Sequence, residues 1–153
     1  MDLLPKPAGT RLPLLITGGS QQSPEWIARH GDGWMLYPRD VSAQAHVIGA
    51  WRTRVREAGQ PEKPVMQALY VDLDPDPSAS PRPIHLGFRT GTRYLIAHLA
   101  QLRAAGVNHV ALNLRFDRAD LSTTLERLAQ DVLPHFHGDE PPVVPVDTKG
   151  YQL

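Results

Sequence analysis

The sequence has no cysteine and no formal net charge, and these absences narrow the classes of protein it can represent. Without cysteine there is no disulfide framework, no thiolate zinc site and no cysteine nucleophile, which suits a reducing cytoplasm. Sixteen basic side chains balance sixteen acidic ones, so electrostatics favours neither nucleic acid nor an anionic membrane surface as a partner. No apolar run reaches the roughly 20 residues of a membrane helix. Residues 1–11 also lack the features of a signal peptide. We therefore expect a cytoplasmic protein of about one domain.

Short apolar runs that read as strands alternate with amphipathic runs that read as helices. The predicted strands are Leu12–Thr17, Trp34–Tyr37, Val65–Leu73 and Asn108–Leu114. The predicted helices run from Ser23 to His30, Ser42 to Ala58, Gly91 to Ala105 and Asp120 to Leu133, the last with Leu121, Leu125, Leu128 and Val132 facing inward. Asp74–Pro83 is predicted to be a long polar loop. Such alternation gives a parallel α/β sheet with right-handed crossovers. A closed barrel needs eight such units and about 250 residues, and this chain has four.

The domain prediction is a leader over residues 1–11, four strand-helix units over 12–136, and a proline-rich tail over 137–153 that is expected to be poorly ordered.

The loop after the first predicted strand carries the strongest functional signal. Gly18 and Gly19 break the strand, and Ser23-Pro24-Glu25 starts a helix with a capping hydroxyl, a proline at the first helical position and an acidic first turn. In α/β proteins the carboxyl ends of the strands are where ligands bind. A glycine-rich turn lets backbone approach a ligand, and free N–H groups beside a helix start attract anions. The competing interpretation is a plain strand-to-helix turn with a helix cap.

Other residues are open to both a functional and a structural interpretation. Arg89 and Arg93 flank a helix start and could hold an anion or simply face solvent. Trp26 and Trp34 are more consistent with core packing than with ligand stacking. His135 and His137, near Asp139 and Glu140, do not amount to a metal site. Ser20 lacks the glycine of a nucleophile elbow, and His30 and Asp32 fall at the opposite end of the second strand, which disfavours a catalytic triad.

Two segments resemble a known family. LLITGGSQQSPEWIARHGDGWMLYP is similar to strands five and six of the bacterial luciferase-like flavin monooxygenases, which are (β/α)8 barrels. The segment LGFRTGTRYLIAHLAQLRAAGVNHVALNLRFDRADLSTTLERLAQDVLPHF resembles the way these proteins close their barrel. The resemblance runs from about Leu12 to Phe136 and implies the C-terminal (β/α)4 half of a TIM barrel.

The resemblance also implies a flavin cofactor, either FMN or a deazaflavin, and a small-molecule substrate. The positions that would grip the flavin phosphate are Gly19, Ser20 and Ser23, with Tyr37 and Arg39 near the ring system. Asp74–Gly87 corresponds to the mobile active-site loop of the family. No catalytic residue and no metal ligand is assigned, because the half of the family's barrel that carries the residues usually given to chemistry has no counterpart here.

Half a barrel leaves two open sheet edges and an uncovered interior. Leu15, Met35, Leu69 and Leu112 are the candidates for side chains facing that interior. We therefore expect a homodimer or a complementing N-terminal half. The functional expectation is the C-terminal portion of a luciferase-like flavin-dependent oxidoreductase or monooxygenase. The alternative is a non-catalytic flavin- or phosphate-binding module, or an inactive truncated relic.

Overall fold

A parallel sheet with helices on one face dominates the computed structural model of the protein, which describes residues 12–136. The strands are β1 (Leu15–Thr17), β2 (Gly33–Leu36), β3 (Val65–Leu73), β4 (Arg82–Ile84), β5 (Gly87–Thr90) and β6 (His109–Asn113). The helices are α1 (Pro24–His30), α2 (Val41–Glu57), α3 (Thr92–Ala104) and α4 (Leu121–Arg127). A π-helical turn (Leu128–Val132) and a 3-10 turn (Leu133–His135) follow α4. No helix within the described range is long and apolar enough to cross a bilayer.

The four predicted strands pair in parallel in the predicted order, β1 beside β2, β2 beside β3 and β3 beside β6. The crossovers between them are helical, as the alternating sequence pattern requires. The arrangement is a curled half-barrel, so the predicted fold class is confirmed.

A β-hairpin that was not predicted begins at the end of the predicted polar loop Asp74–Pro83 and continues to α3. Its strands β4 and β5 are antiparallel to each other, and β5 pairs in parallel with the second half of β3. At the start of β5, Tyr70 N–H of β3 donates to Leu86 O at 3.1 Å. At the start of β2, Trp34 N–H donates to Pro64 O, just before β3, at 3.0 Å. Both bonds lie on the same edge of β3. The hairpin therefore occupies the edge of β3 beyond the end of β2. Sequence patterning missed it because both strands are short and Pro83 reads as a breaker, although proline is tolerated at a sheet edge.

The core lies between the sheet and the helices. Odd-numbered side chains of β3 are buried against α2, α3 and the π-helical turn, in two clusters that include Leu69 and Leu73. Even-numbered side chains of β3, from Met66 to Asp72, therefore point to the other face, which we call the open face. Leu69 and Leu112 belong to the helix side, which corrects the expectation that they face the barrel interior, whereas Met35 alternates with the buried Trp34 and lies on the open face.

Three capping side chains set the helix starts. Ser23 caps α1, and Asp120 caps α4 by accepting Thr123 N–H at 3.2 Å. The cap of α2 is Asp40, whose carboxylate accepts Ser42 N–H at 2.9 Å and Ala43 N–H at 3.4 Å. The helix thus begins at Val41, one residue before the Ser42 start predicted from the sequence. The hydrogen bonds from Ser42 lower the pKa of Asp40.

Two apolar segments are more exposed than their patterns predict. Leu121 and Leu125 of α4 are 57% and 52% exposed, while Leu128 and Val132 are buried as expected. The packing of this region against α3 is made by the π-helical turn, so the first turns of α4 extend past the core. Leu12–Thr17 reads as a strand covered on both faces, yet β1 is a sheet edge and Leu15 is 37% exposed.

Candidate functional site

The loop after β1 turns through three residues in the left-handed region. The φ angles are +54° at Gly18, +43° at Ser20 and +58° at Gln21. Gln22 N–H donates to Gly19 O at 2.7 Å, which closes the turn. Across residues 12–136, no acceptor is present for the backbone N–H groups of Gly19, Ser20 and Gln21. Consecutive free N–H groups in such a turn form a concavity that attracts anions.

Gly18 is held in place from β2. Its N–H donates to Met35 O at 2.7 Å, and its carbonyl accepts the indole N–H of Trp34 at 2.6 Å. The ring of Tyr37 covers the same residue, because a Cβ added at Gly18 would lie 3.3 Å from Tyr37 Cε2. The start of the loop is therefore fixed by Trp34 and Met35 of β2 and by Tyr37, which follows β2.

The hydroxyl groups of both serines are used locally. Ser20 Oγ donates to Thr17 O at 2.6 Å, and Ser23 Oγ accepts Trp26 N–H at 3.2 Å as the cap of α1. Glu25 lies in the first turn of α1, and its hydrogen bond with the Arg54 guanidinium lowers the pKa of its carboxyl group. An anion at this loop would therefore be met mainly by backbone N–H groups.

Tyr37 and Arg39 lie at the carboxyl end of β2, beside the loop. Tyr37 is 57% exposed. Arg39 Nη1 donates to Tyr37 O at 3.2 Å and to Gln44 Oε1 at 3.3 Å, and Gln44 Nε2 donates to Gln67 Oε1 at 2.7 Å in the core. This chain of hydrogen bonds anchors the Arg39 side chain to α2 and β3. Gly19, Ser20, Ser23, Tyr37 and Arg39 thus share one corner of the carboxyl edge, as their strand positions predicted, and their role in binding stays a prediction.

A second group at the carboxyl edge was not predicted from the sequence. Asp72 is buried at the end of β3, where its carboxylate accepts Arg89 Nη1 at 3.2 Å and pairs with Arg118 Nε at 3.3 Å. Arg89 also donates from Nε to Asp74 at 3.0 Å. Hydrogen bonds from Asp76 N–H and Arg89 lower the pKa of Asp74. The signal available in the sequence was that Asp72 is the one charged residue of strand β3.

Of the two arginines proposed to hold an anion, Arg89 is committed to carboxylates and Arg93 is exposed on α3. Trp34 is in the core as expected. Trp26 is not: it is 39% exposed and lies against His30 at a centroid distance of 4.7 Å, with the ring planes tilted by 37°. Asp32 accepts Leu14 N–H at 2.8 Å at the amino end of β2.

Most of the C-terminal residues that were considered as metal ligands lie outside the described range. His135 ends the 3-10 turn, whereas His137, Asp139 and Glu140 lie outside the described residues. Within residues 12–136 there is no cluster of three side chains able to hold a metal ion.

A groove of about 710 Å³ lies away from this corner. It runs along the free edge of β6 between α3 and the π-helical turn, with apolar walls from Leu99, Leu112 and Val132 and polar groups at one end. The groove is open on this side because β6 is the last strand of the sheet within the described range. It is separate from the carboxyl edge.

Comparison with known proteins finds the fold among coenzyme-dependent enzymes. An F420-dependent secondary alcohol dehydrogenase, solved with an F420-acetone adduct, superposes with a TM-score of 0.68 at 17% identity, over 90% of this chain and 52% of that chain. The coenzyme F420 dependent tetrahydromethanopterin reductase from Methanopyrus kandleri superposes with a TM-score of 0.63 at 13% identity, over 82% of this chain and 51% of that chain. At these identities the likeness establishes the fold.

Sequence comparison gives a shorter match. Uncharacterized proteins of Mycobacterium tuberculosis and Mycobacterium bovis are 34% identical over 87 residues, which is 54% of this chain and 29% of theirs. No protein-family profile matches the chain. The chain thus spans about half the length of the solved structures, and its match covers less than a third of the curated relatives.

Proposed function

We propose that this chain is the cofactor-phosphate half of a luciferase-like oxidoreductase that uses a deazaflavin or flavin. The observation that carries the proposal is the superposition of 90% of the chain on an F420-dependent dehydrogenase. The residues quoted from strands five and six give an independent reason, since they resemble the luciferase-like family. Because the solved relatives are named for F420, a deazaflavin is preferred over FMN.

The loop after β1 fits the phosphate of such a cofactor. The free N–H groups of Gly19, Ser20 and Gln21 would hold the phosphate, since they have no acceptor within residues 12–136. Tyr37 and Arg39 would lie beside the ring system, with Arg39 oriented by Gln44. When bound, the cofactor supplies hydride transfer, and the protein supplies its binding, orientation and shielding from water.

A complete enzyme requires more sheet than the described residues contain. β1 and β6 are the two edges of the parallel arrangement within residues 12–136, and the open face carries Met35 and Met66. We infer that a second copy of the chain or a separate N-terminal half completes the barrel in the active form. A small-molecule substrate would then bind between the two halves.

A binding module without catalysis is the alternative. It is favoured by the half-length match to the enzymes, because a half-barrel retaining the phosphate loop could bind a cofactor without turning it over. Oxidation of secondary alcohols with F420 by the purified chain, measured with and without a co-expressed N-terminal half, separates the two possibilities.

Binding of the cofactor is tested by titrating F420, and FMN in parallel, into the purified chain while following absorption and fluorescence. We expect saturable binding with a preference for F420. Ser23→Ala should weaken binding about fivefold, the effect of losing roughly 1 kcal/mol from one hydrogen bond, because Ser23 Oγ accepts Trp26 N–H and its own O–H would donate to the phosphate. Asp120→Ala is the matched control, because it removes the cap of another seven-residue helix and leaves the loop intact. Equal loss in both variants, or no saturable binding of either cofactor, would argue against the proposal.

A further inference from the structure

Three rings meet on the open face, at the carboxyl end of β3. Tyr70 of β3 lies 5.2 Å from Phe116, which follows β6, and 5.7 Å from His85 in the hairpin turn, measured between ring centroids. His85 and Phe116 complete the triangle at 6.3 Å. The cluster joins three separate segments, so it depends on the folded sheet.

The hairpin turn is fixed over this cluster. Leu86 lies in the turn between β4 and β5, with a φ of +51° that is strained for a leucine. Its carbonyl accepts Tyr70 N–H at 3.1 Å. The strain is retained because β4 and β5 pair across the turn, with Ile84 opposite Gly87, and β5 is held to β3 with Tyr70 opposite Gly87. His85 is therefore presented at a defined position beside Tyr70 and Phe116.

The cluster is accessible and carries an uncommitted charge. Phe116 is 40% exposed, and Leu86 beside it is 36% exposed. The Arg115 guanidinium lies 5.8 Å from the Phe116 ring centroid, and within the described residues no carboxylate pairs with it. Asp72 is paired with the neighbouring Arg89 and Arg118, whereas Arg115 lies beside the ring cluster with no carboxylate partner within residues 12–136.

We propose that Tyr70, His85 and Phe116, with Arg115, form a subsite for an aromatic carboxylate. The rings would contact the flat apolar part of the ligand, with His85 adding an imidazole edge, and Arg115 would bind the carboxylate. The exposed aromatic surface fits the ring system of such a molecule, and the guanidinium beside it, unpaired within residues 12–136, fits its carboxylate. As a substrate subsite it rests on the proposed function, since it lies on the carboxyl edge that the cofactor would share.

The binding itself is tested without any cofactor. 2-Naphthoate is titrated into the full-length chain, followed by isothermal calorimetry and by ¹H–¹⁵N NMR. Its neutral isostere 2-naphthalenemethanol and the non-aromatic cyclohexanecarboxylate serve as comparison ligands. For a ligand of this size we expect a Kd of about 1 mM for 2-naphthoate, with weaker binding of the other two.

Variants separate the two parts of the subsite. Arg115→Gln should weaken 2-naphthoate about tenfold and leave the neutral alcohol unchanged, because only the carboxylate meets the guanidinium. Phe116→Leu should weaken both aromatic ligands while keeping an apolar side chain of similar size. The matched controls are Trp26→Leu and Arg29→Gln on α1, where an exposed ring, a histidine and an arginine also lie together; neither should change binding.

The proposal is overturned if 2-naphthoate does not bind, or if Arg115→Gln affects the acid and the alcohol equally. It is also overturned if the α1 controls weaken binding as much as the two subsite variants. Loss of F420 binding alone would contradict the proposed function and leave the naphthoate result intact, so the two failures are distinguishable.

Discussion

At the scale of single residues, Trp34 links the core to the candidate loop. Its ring packs 5.4 Å from Trp51, between centroids, while its indole N–H bonds the carbonyl of Gly18. The sequence suggested that Trp34 belongs to the core, and this is confirmed. The hydrogen bond to the loop could not be predicted, because it depends on how closely β1 and β2 approach.

We expect Trp34→Phe to destabilise the protein by about 1–3 kcal/mol, since it leaves the Gly18 carbonyl without its donor and removes part of a buried ring. It should also weaken F420 binding more than its effect on folding explains, because Gly18 starts the turn. Urea unfolding and the F420 titration measure the two effects. Trp26→Phe is the control and should change stability by less than about 0.5 kcal/mol, since Trp26 is on the surface. Equal F420 affinity in Trp34→Phe and the parent chain would contradict this role.

The sequence placed the candidate residues at the carboxyl end of β1 but did not predict the hydrogen bonds of their hydroxyl groups. Gly19, Ser20 and Ser23 could be placed because a glycine pair after an apolar run marks the carboxyl end of a strand. The hydrogen bonds that occupy the Ser20 and Ser23 hydroxyl groups are local turn geometry, which residue types do not specify. Asp72 was missed because its partners are distant in sequence, at positions 89 and 118.

At the scale of elements, the β4–β5 hairpin is held to β3 by charge as well as by backbone pairing. Arg89 of β5 lies opposite Asp72 in the register and bonds both Asp72 and Asp74. Carboxylates with lowered pKa values, such as Asp74, contribute stability above their unfolded pKa of about 4 that is lost as the pH falls through the folded value. The hairpin should therefore loosen first in acid.

Arg89→Gln should loosen the hairpin in the same way at neutral pH, because the buried carboxylate of Asp72 loses one of its two arginine partners. Hydrogen exchange at residues 82–90 should accelerate while exchange in β2 and α2 is unchanged. Arg93→Gln, on the exposed surface of α3, should leave exchange in both regions as it was. If exchange at residues 82–90 were as slow in Arg89→Gln as in the parent chain, backbone pairing alone would hold the hairpin.

The packing of β5 against α3 predicts a second pH dependence. His98 is buried, stacks parallel to Tyr94 at 5.8 Å and meets Phe88 edge-on at 5.1 Å, between centroids. Burial lowers the pKa of His98 below 6.5. A histidine whose pKa is lower in the folded state stabilises the fold above its unfolded pKa, so stability should decline as the pH falls from about 6.5 and level off below the folded pKa.

Urea unfolding measured between pH 7.5 and 5 checks this effect of His98. His98→Phe should flatten part of the decline, and His46→Phe, on an exposed position of α2, should not. If the free energy of unfolding had the same pH dependence in the parent chain and in His98→Phe, His98 would not be the cause of the decline.

The element boundaries show which signals were reliable. Long apolar runs such as β3 were placed to the residue, and turns marked by glycine or a capping aspartate were placed within one or two residues. The hairpin was missed because its strands are only three and four residues long and because the pairing of β5 with β3 joins segments separated in sequence. The exposed first turns of α4 were misjudged because helical periodicity identifies an apolar face and not what covers it.

At the scale of the whole molecule, the half-barrel leaves β1, β6 and the open face without partners inside the described range. Each large apolar side chain left in water forgoes roughly 1.5–3 kcal/mol, against a total stability of about 5–15 kcal/mol. We therefore expect the purified chain to associate. Light scattering should give a mass of at least twice the 16.9 kDa of one chain.

A charge on the open face should weaken that association. Ala68→Glu places a carboxylate between Met66 and Tyr70, on the face that a partner would cover, and should shift the mass toward the monomer. Ala119→Glu, in the exposed loop before α4, should not. A monodisperse, cooperatively melting monomer of the parent chain would show that the open face needs no cover.

The central claim is that the loop after β1 binds the phosphate of a deazaflavin or flavin cofactor. The most direct measurement is titration of the ¹⁵N-labelled chain with F420, followed through its backbone amide signals. The account predicts saturable shifts concentrated at Gly19, Ser20 and Gln21, whose N–H groups are free to donate, with smaller shifts at Tyr37 and Arg39. Saturable shifts confined to other parts of the molecule, or no shift in this loop at millimolar F420, would contradict it.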